Sequence, residues 1–443
     1  MNTFNSRPSD RGPRGPRTER GPSDGRGPRT DRPRDGARND RGLRVEPSGP
    51  RLLKPPTARH IALEALSRVD DGAFANLALP ELFRQLEMKE AGYERLDYRE
   101  KAFATELLYG TVRMRRACAW LASQYVTREP EGDTERCLHL GIYQLVFLGT
   151  PSHAAVAATV PCAPEWSRGF MNAVLRRIAT DVEAANAGER SLPWPSLAVE
   201  LSYPDWIVSA FERDLGKEVA HEALWRMNEA AVVHRRADGY VQDPASQMVA
   251  EAVEAHEGER ILDMCAAPGG KTTVMATTGA HVVAVDIHEH RCQLVRENAD
   301  ELGLTDRIEV HCLDATALPL ELVSEGFDRV LLDAPCSGLG SLRRRPDARW
   351  RIGPDDVDGL VDLQRALFTA AVEAVKPGGT LVYSVCTLTD SETVGIDRWA
   401  EQEFPTLEAV VPVAGDGWDA HGRGVRILPA DTDGMCIFRY TKR

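Results

Sequence analysis

Residues that could perform chemistry follow five short apolar runs in the second half of the chain. The first run, RILDM, leads into a glycine-rich turn made of Cys265, Ala266, Ala267, Pro268, Gly269, Gly270 and Lys271. Asp286, Asp314 and Asp333 stand at the ends of the next three runs, and Cys336 and Cys386 follow the fourth and the fifth. Carboxylates accept hydrogen bonds from hydroxyl and amine groups, and an accessible thiolate is a nucleophile. The pattern predicts a ligand site beside two candidate nucleophiles.

The glycine-rich turn argues against two common nucleotide ligands. A loop that cradles a nucleoside triphosphate needs a glycine where this chain has Cys265, ahead of the Gly-Lys pair. The dinucleotide pattern G-x-G-x-x-G is absent, because Gly269 and Gly270 are adjacent and follow Pro268. Each residue could alone be a helix cap or a turn residue, but their shared position at strand ends favours a ligand site. With Asp286 placed to reach ribose hydroxyls, the turn suits a nucleoside without phosphates, such as S-adenosylmethionine.

The elements that must position these residues alternate between strand and helix. The runs RILDM, HVVAVDI, IEVHCL, RVLLDA and GTLVYSV alternate with helical stretches at 271–276, 289–301, 354–375 and 390–403. This alternation predicts a Rossmann-like α/β domain, a parallel sheet with helices on both faces. We place the domain at residues 241–443. Ligands in such folds bind beyond the carboxyl ends of the strands, where the candidate residues fall.

The first part of the chain is organised differently. Residues 55–182 show helical periodicity, as in ARHIALEALSRV and GFMNAVLRRIATDV, and predict an all-α domain. Residues 183–240 form a connector. Residues 1–54 are rich in Arg, Gly and Pro, and the first 50 residues hold 12 Arg against 7 acids. This segment is predicted to be disordered and to act either as an RNA-attracting arm or as a solubilising tail.

The bulk composition limits the class of protein. With 443 residues, 42% of them hydrophobic, the chain is too long for one ordinary core and predicts two or three domains. Its nine cysteines include no CxxC pair, so we expect reduced thiols and no disulfide framework or zinc site. No apolar stretch approaches the roughly 20 residues of a membrane span, and the N-terminus has no leader-like apolar core. We expect a soluble cytoplasmic protein.

Several stretches together resemble a known family. DMCAAPGGKTT, AVDIHEHR, LLDAPCSGLGSLRRRPDARWR and YSVCTL are similar to the signature blocks of the Sun-type RNA cytosine-C5 methyltransferases. Upstream, LGIYQLVFLGTPSHAAVAATV and GFMNAVLRRI resemble the NusB-like RNA-binding domain of the bacterial members that act on small-subunit ribosomal RNA. The resemblance covers nearly everything from about residue 57 to the C-terminus.

The resemblance implies a reaction and assigns catalytic roles. Cytosine C5 is too weak a nucleophile to accept a methyl group unaided, so a thiolate first adds to C6. Cys386 would be this nucleophile. Asp333 would hydrogen-bond cytosine N3 in its protonated form or N4 as a carboxylate. Cys336 would assist the removal of the C5 proton and the release of the enzyme thiol.

The resemblance also implies the cofactor and the partner. S-adenosylmethionine would contact the backbone of Cys265 to Lys271, with Asp286 at the ribose and Asp314 at the adenine edge. Arg291 and Asp333 complete the expected cofactor residues. The partner would be RNA, in first place 16S ribosomal RNA, and we expect a monomer with no metal and no membrane association.

The segment after Cys336 is strongly basic. Its side chains, Arg343, Arg344, Arg345, Arg349 and Arg351 with Trp350 among them, are expected to grip RNA phosphate and stack a base. Four other cysteines are expected to be core residues: Cys265, Cys292, Cys312 and Cys436.

The chain departs from the family pattern in two places. It reads Ser384-Val385-Cys386 where members usually read Ser-Thr-Cys, and only NEAAVVHRRADGY separates Met227 from VQDPASQ, where members usually carry a small RNA-binding insert. We therefore expect the insert to be shortened or lost. Two alternatives stay open: a transfer RNA substrate, and a non-catalytic RNA-binding assembly factor that would have no use for two thiols at strand ends.

Overall fold

The first part of the chain is helical. The computed structural model describes residues 54–88, 93–412 and 415–443, and the predicted disordered tail lies outside these ranges except for Lys54. The helices of this part are α1 (Ala58–Asp70), α2 (Ala75–Glu87), α3 (Tyr98–Arg113), α4 (Arg115–Ser123), α5 (Asp133–Val146), α6 (Ser152–Thr159) and α7 (Arg168–Asn186). The prediction of an all-α domain is confirmed.

Helix α5 is the centre of the helical part. Every residue from Cys137 to Leu145 is buried, and α1, α3, α4, α6 and α7 pack around it. Apolar residues predominate in the stretch CLHLGIYQL and lie on more than one side of the helix, so it must be surrounded by other elements, which is why it becomes the central helix.

The second part is built on a mixed sheet. Its strands are β1 (Arg260–Asp263), β2 (His281–Asp286), β3 (Ile308–Cys312), β4 (Phe327–Asp333), β5 (Val375–Val385), β6 (Leu407–Ala409), β7 (Trp418–His421), β8 (Gly424–Ile427) and β9 (Met435–Lys442). The order is β3-β2-β1-β4-β5-β9-β8-β7, and β6 also pairs with β9. The first five strands are parallel, as predicted, whereas β9 pairs antiparallel with β5. The sequence analysis did not predict β6 to β9.

Helices cover both faces of this sheet, as predicted. They are α8 (Leu197–Glu200), α9 (Asp205–Leu215), α10 (Lys217–Arg226), α11 (Pro244–Glu251), α12 (Gly270–Ala276), α13 (Glu289–Glu301), α14 (Leu320–Val323), α15 (Pro354–Ala374) and α16 (Val394–Glu403). Successive strand residues enter opposite cores: Ile261 joins the core beneath α11 and α12, and Leu262 joins the core beneath α9, α10 and α15. This alternation is expected from the two-residue period of a strand.

The predicted connector is largely helical. Tyr203, Phe211 and Leu224, from α9, α10 and the turn before them, are buried in the same core as β4 and β5. Residues 187–196 and 228–240 contain no helix, and in the second stretch His234 contacts the carbonyl of Asp431 at 3.1 Å. The connector is thus packed against the sheet. None of the described helices is long and apolar enough to cross a membrane.

The expectation that the basic segment grips RNA is wrong for Arg343 and Arg349, because both side chains are buried. Arg343 donates to the carbonyls of Ala430 and Ala230. Arg349 donates to the Ser202 carbonyl at 3.2 Å.

The rest of the basic segment is also largely engaged within the protein. Trp350 donates to the carbonyl of Val112 at 2.8 Å, at the end of α3, and Arg351 donates to the carbonyl of Gly72 at 2.9 Å. Arg344 is paired with carboxylates of the sheet part. Arg345 remains exposed. The segment therefore joins the helical part to the sheet part.

Arg349 is the most deeply buried member of this segment. Its side chain is fully buried, its guanidinium lies 3.9 Å from the ring centroid of Tyr203, and it donates to Asn228 Oδ1 at 3.0 Å. Among the described residues no carboxylate pairs with it, and burial lowers the pKa of Arg349 to about 10. The buried guanidinium of Arg349 is therefore stabilised by packing against Tyr203 and by its hydrogen bonds to Ser202 and Asn228.

Shortening Arg349 should destabilise the protein more than removing its charge alone. We expect Arg349→Ala to lower the free energy of unfolding by about 3 kcal/mol, since it opens a cavity and leaves acceptors unpaired. Arg349→Met keeps much of the volume and relieves the buried charge, so we expect a loss of about 1 kcal/mol or less. Urea titration of the full chain measures both. An Ala variant as stable as the wild type would contradict this role for Arg349.

Candidate functional site

The candidate site lies where the strand order reverses. From β1 the sheet extends to β2 and β3 on one side and to β4 on the other, which leaves a crevice at the carboxyl ends of β1 and β4. A cavity of about 240 Å³ lies there. The backbone of the glycine-rich turn forms one side of it, and Asp333 at the end of β4 contributes to another. This is the place at which the sequence predicted a ligand.

The glycine-rich turn is fixed by residues behind it. The backbone N–H of Ala267 donates to Asp286 Oδ2 at 3.3 Å, and Arg291 donates to the Ala267 carbonyl at 3.1 Å. Gly269 has a φ of 104°, a left-handed conformation that strains any residue with a Cβ. The backbone that faces the cavity is thereby held rigid.

The predicted cofactor residues fall into three groups. Asp333 and six residues of the turn line the cavity: Cys265, Ala266, Ala267, Pro268, Gly270 and Lys271. Gly269, Asp286 and Arg291 support the turn from outside this lining. Asp314 is exposed and accepts hydrogen bonds from the backbone N–H and the hydroxyl of Thr316, at 2.9 and 2.7 Å. Its contact with a ligand stays a prediction.

The lining also contains residues that the sequence analysis missed. They are Tyr240, Val241, Gln242, Asp243, Ser246, Asp263 and Asp433, together with Arg344, which the sequence analysis expected to grip RNA instead. Arg344 pairs with Asp243 at 2.5 Å and with Asp433 at 2.9 Å, so it closes one wall of the cavity by joining three distant segments. The one local signal was Asp243 before Pro244, a pattern typical of a helix start.

Two carboxyl groups at the cavity have different environments. Burial raises the pKa of Asp263 to about 7; its Oδ2 accepts from Thr272, and its Oδ1 has no partner. Asp333 instead accepts from Lys271 Nζ at 2.6 Å and from the Ser384 hydroxyl at 2.7 Å. Burial by itself would lower the pKa of Lys271, but the charge of Asp333 and the hydrogen bond to it have the larger effect and raise this pKa.

The two candidate nucleophiles meet because β4 and β5 are neighbours. Asp333 on β4 is in register with Ser384 on β5, and the chain then brings Cys336 and Cys386 to an Sγ–Sγ distance of 3.4 Å. Gly340 makes this approach possible, since its N–H donates to the Cys386 carbonyl at 2.9 Å. A Cβ on Gly340 would lie 2.2 Å from the carbonyl oxygen of Gly434.

The two thiols are electrostatically distinct. The hydrogen bond from Cys336 lowers the pKa of Cys386, and the positive charges of Arg345 and Lys271 lower it further. Burial and the carboxylate of Asp333 act in the opposite direction but are outweighed. The same hydrogen bond, together with burial, raises the pKa of Cys336 well above its usual range. Cys386 is therefore the sulfur that ionises first, and Cys336 is the thiol that donates to it. Both are half-buried.

The remaining cysteines of the second part have mixed environments. Cys292 and Cys436 are buried as expected, and Cys265 is half-buried because it lines the cavity. Cys312 is exposed because it ends β3 at the sheet margin, so its assignment to the core is wrong. Cys292, Cys312 and Glu289 bring possible ligand atoms within 4.8 Å of one another, but Glu289 is already paired with Arg296 at 2.7 Å. This group gives no support for a metal site.

Comparison with known proteins decides the family. The ribosomal RNA small subunit methyltransferase B of Thermus thermophilus is 33% identical over 428 residues, which cover 88% of this chain and 98% of the relative. The chain belongs to the RsmB/F family of 16S rRNA methyltransferases. The sequence model of that family matches residues 250–438, and the NusB family model matches residues 56–180.

Further similarities agree with membership of the RsmB/F family. The ribosomal RNA small subunit methyltransferase B of Vibrio cholerae is 34% identical over 394 residues, covering 77% of this chain and 89% of the relative. Among solved structures, that of PH0851 superposes with a TM-score of 0.67 at 20% identity, covering 88% of this chain and 100% of that one. At this identity the superposition shows a shared fold. The resemblance found in the sequence is confirmed.

The two thiols should differ in reactivity. Alkylation requires a thiolate, so a short iodoacetamide pulse near neutral pH should label Cys386 ahead of Cys336. Because Cys386 ionises at lower pH, the difference should narrow as the pH rises. Peptide mass spectrometry after the pulse measures both sites in one sample, and the buried Cys436 serves as an internal control that reacts slowly while the protein is folded. Labelling of Cys336 first would reverse the assignment.

Proposed function

We propose that this protein transfers a methyl group from S-adenosylmethionine to C5 of a cytosine in 16S ribosomal RNA through a covalent cysteine adduct. The observation that carries the proposal is the pair of thiols 3.4 Å apart, one favoured as thiolate, beside the Asp333 carboxylate. The names of the Thermus and Vibrio relatives support ribosomal RNA as the substrate. In this proposal residues 55–182 bind RNA, and residues 241–443 catalyse.

The residues at the cavity fit S-adenosylmethionine. Asp263, buried with one unpartnered oxygen in the lining, suits the ammonium group of the methionine part. The fixed turn and Asp286 suit the ribose, because each carboxylate oxygen has a second lone pair beyond its backbone hydrogen bond. When bound, the cofactor supplies an electrophilic methyl group.

The side chains divide the reaction between them. The Cys386 thiolate adds to cytosine C6, and the electrons of the C5–C6 double bond make C5 the nucleophile that takes the methyl group. Asp333 receives hydrogen bonds from Lys271 and Ser384, and its oxygens can also accept from the N4 amine. A base then takes the C5 proton, and the electrons of the C5–H bond re-form the C5–C6 double bond and expel the Cys386 sulfur as thiolate, which restores the aromatic ring. Cys336 assists this last step.

Replacing each cysteine separately tests the proposal. Cys386→Ala should abolish methylation and leave no protein attached to RNA, because no adduct can form. Cys336→Ala should allow attack and methyl transfer but slow release, so a denaturation-resistant protein–RNA complex should accumulate when S-adenosylmethionine is supplied. Denaturing gels with labelled 16S ribosomal RNA measure the complex.

The double variant is the matched control. It should behave like Cys386→Ala, as expected when one residue acts before the other. A covalent band from Cys386→Ala and none from Cys336→Ala would reverse the two roles. Wild-type methylation with no band from either single variant would contradict the adduct mechanism. A wild type that neither methylates the RNA nor forms an adduct would favour the non-catalytic assembly factor.

A further inference from the structure

A buried carboxylate lies behind the two thiols and has no role in the reaction described so far. Glu392 is fully buried in the 3-10 turn that follows the Cys386 segment. Its Oε1 accepts from the backbone N–H of Ser337 at 2.8 Å and from Gln364 at 3.1 Å. Its Oε2 accepts from the hydroxyls of Ser337 at 2.5 Å and Thr389 at 2.8 Å.

These hydrogen bonds reach both cysteine segments. Ser337 directly follows Cys336, and its hydroxyl lies 2.8 Å from the hydroxyl of Thr387, which directly follows Cys386. Gln364 on α15 also donates to the carbonyl of Pro335, at 2.9 Å, on the other side of Cys336. Glu392 therefore anchors the turn that carries Cys336 and links it to the turn that carries Cys386.

The Glu392 carboxyl is the acceptor in all four of these hydrogen bonds, which matches the acceptor-only oxygens of a carboxylate. Burying a carboxylate away from water costs free energy, and a neutral side chain could pack at this position with a smaller free-energy cost. The charge itself is thus the feature that requires an explanation.

We propose that Glu392 is a positioning residue that keeps the proton of the thiol pair on Cys336 and so leaves the Cys386 sulfur as the thiolate. The catalytic significance of this inference rests on the proposed function. Its test does not, because the reactivity of the two thiols can be measured without methylation.

The charges around the pair are arranged for this purpose. Glu392 accepts from the backbone N–H of Ser337, the residue next to Cys336, at 2.8 Å, so its charge disfavours a second negative charge on the Cys336 sulfur. This charge adds to the rise in the pKa of Cys336, which is caused chiefly by the hydrogen bond to Cys386 and by burial. Cys386 faces the cations Lys271 and Arg345, with Asp333 as the opposing carboxylate. Two other titratable groups lie near Glu392: Tyr383, whose hydroxyl donates to the Glu392 carbonyl at 2.7 Å, and the buried thiol of Cys436.

Glu392→Gln tests the proposal in the full chain without RNA or cofactor. The amide keeps the shape but removes the charge, so a negative charge on the Cys336 sulfur becomes less costly and the proton of the pair lies more often on Cys386. In an iodoacetamide pulse near neutral pH, the ratio of Cys386 to Cys336 labelling should fall about tenfold, the equivalent of about one pKa unit. In methylation assays kcat should fall near neutral pH, with KM for RNA little changed, and should recover as the pH rises.

Two variants separate charge from packing. Thr389→Val removes one hydrogen bond to Glu392 without changing charge, and Glu392→Asp keeps the charge on a shorter side chain. Both should leave the ratio of Cys386 to Cys336 labelling close to the wild-type value. An unchanged ratio in Glu392→Gln, or an equal fall in Thr389→Val or Glu392→Asp, would overturn the proposal. Wild-type methylation would then still support the proposed function, so the two failures are distinguishable.

Discussion

The parallel pairing of β4 with β5 is the constraint on which the site depends. It sets Asp333 opposite Ser384, and through them it brings together two cysteines that are 50 residues apart in the sequence. The hydrogen bond and the charges that make the two sulfurs different act over short distances, so they depend on this register. A shift of one residue would turn the strand-end side chains to the opposite face of the sheet and separate the thiols from Lys271.

A second constraint joins this register to the rest of the molecule. The basic segment after Cys336 runs from Arg344 at the cavity wall to Trp350 at the end of α3. Its guanidinium groups donate to backbone carbonyls of the helical part, of the connector and of the loop between β8 and β9. The helical part is thus attached to the chain segment that carries one of the two cysteines, and the arginines serve assembly of the site.

Sequence patterns predicted the features that depend on residues close together in the chain, such as the parallel strands and the residues at their ends. Strand periodicity and the positions of Asp286, Asp333, Cys336 and Cys386 at strand ends were enough to locate the site. They could not predict Arg344 with Asp243 and Asp433, because that cluster joins segments far apart in the chain. Charge misled the interpretation of Arg349, since composition does not distinguish an arginine that faces solvent from one that binds buried carbonyls. Glu392 was missed because a buried carboxylate carries no local signature.

The most direct test of the central claim is to map 5-methylcytosine in 16S ribosomal RNA from cells with and without this protein. Bisulfite sequencing identifies a methylated cytosine because it resists conversion. The account predicts one or more cytosines in 16S ribosomal RNA that lose protection in a deletion strain, regain it with the wild-type protein, and stay unprotected with Cys386→Ala. Identical protection in all strains, or a loss confined to transfer RNA, would contradict it.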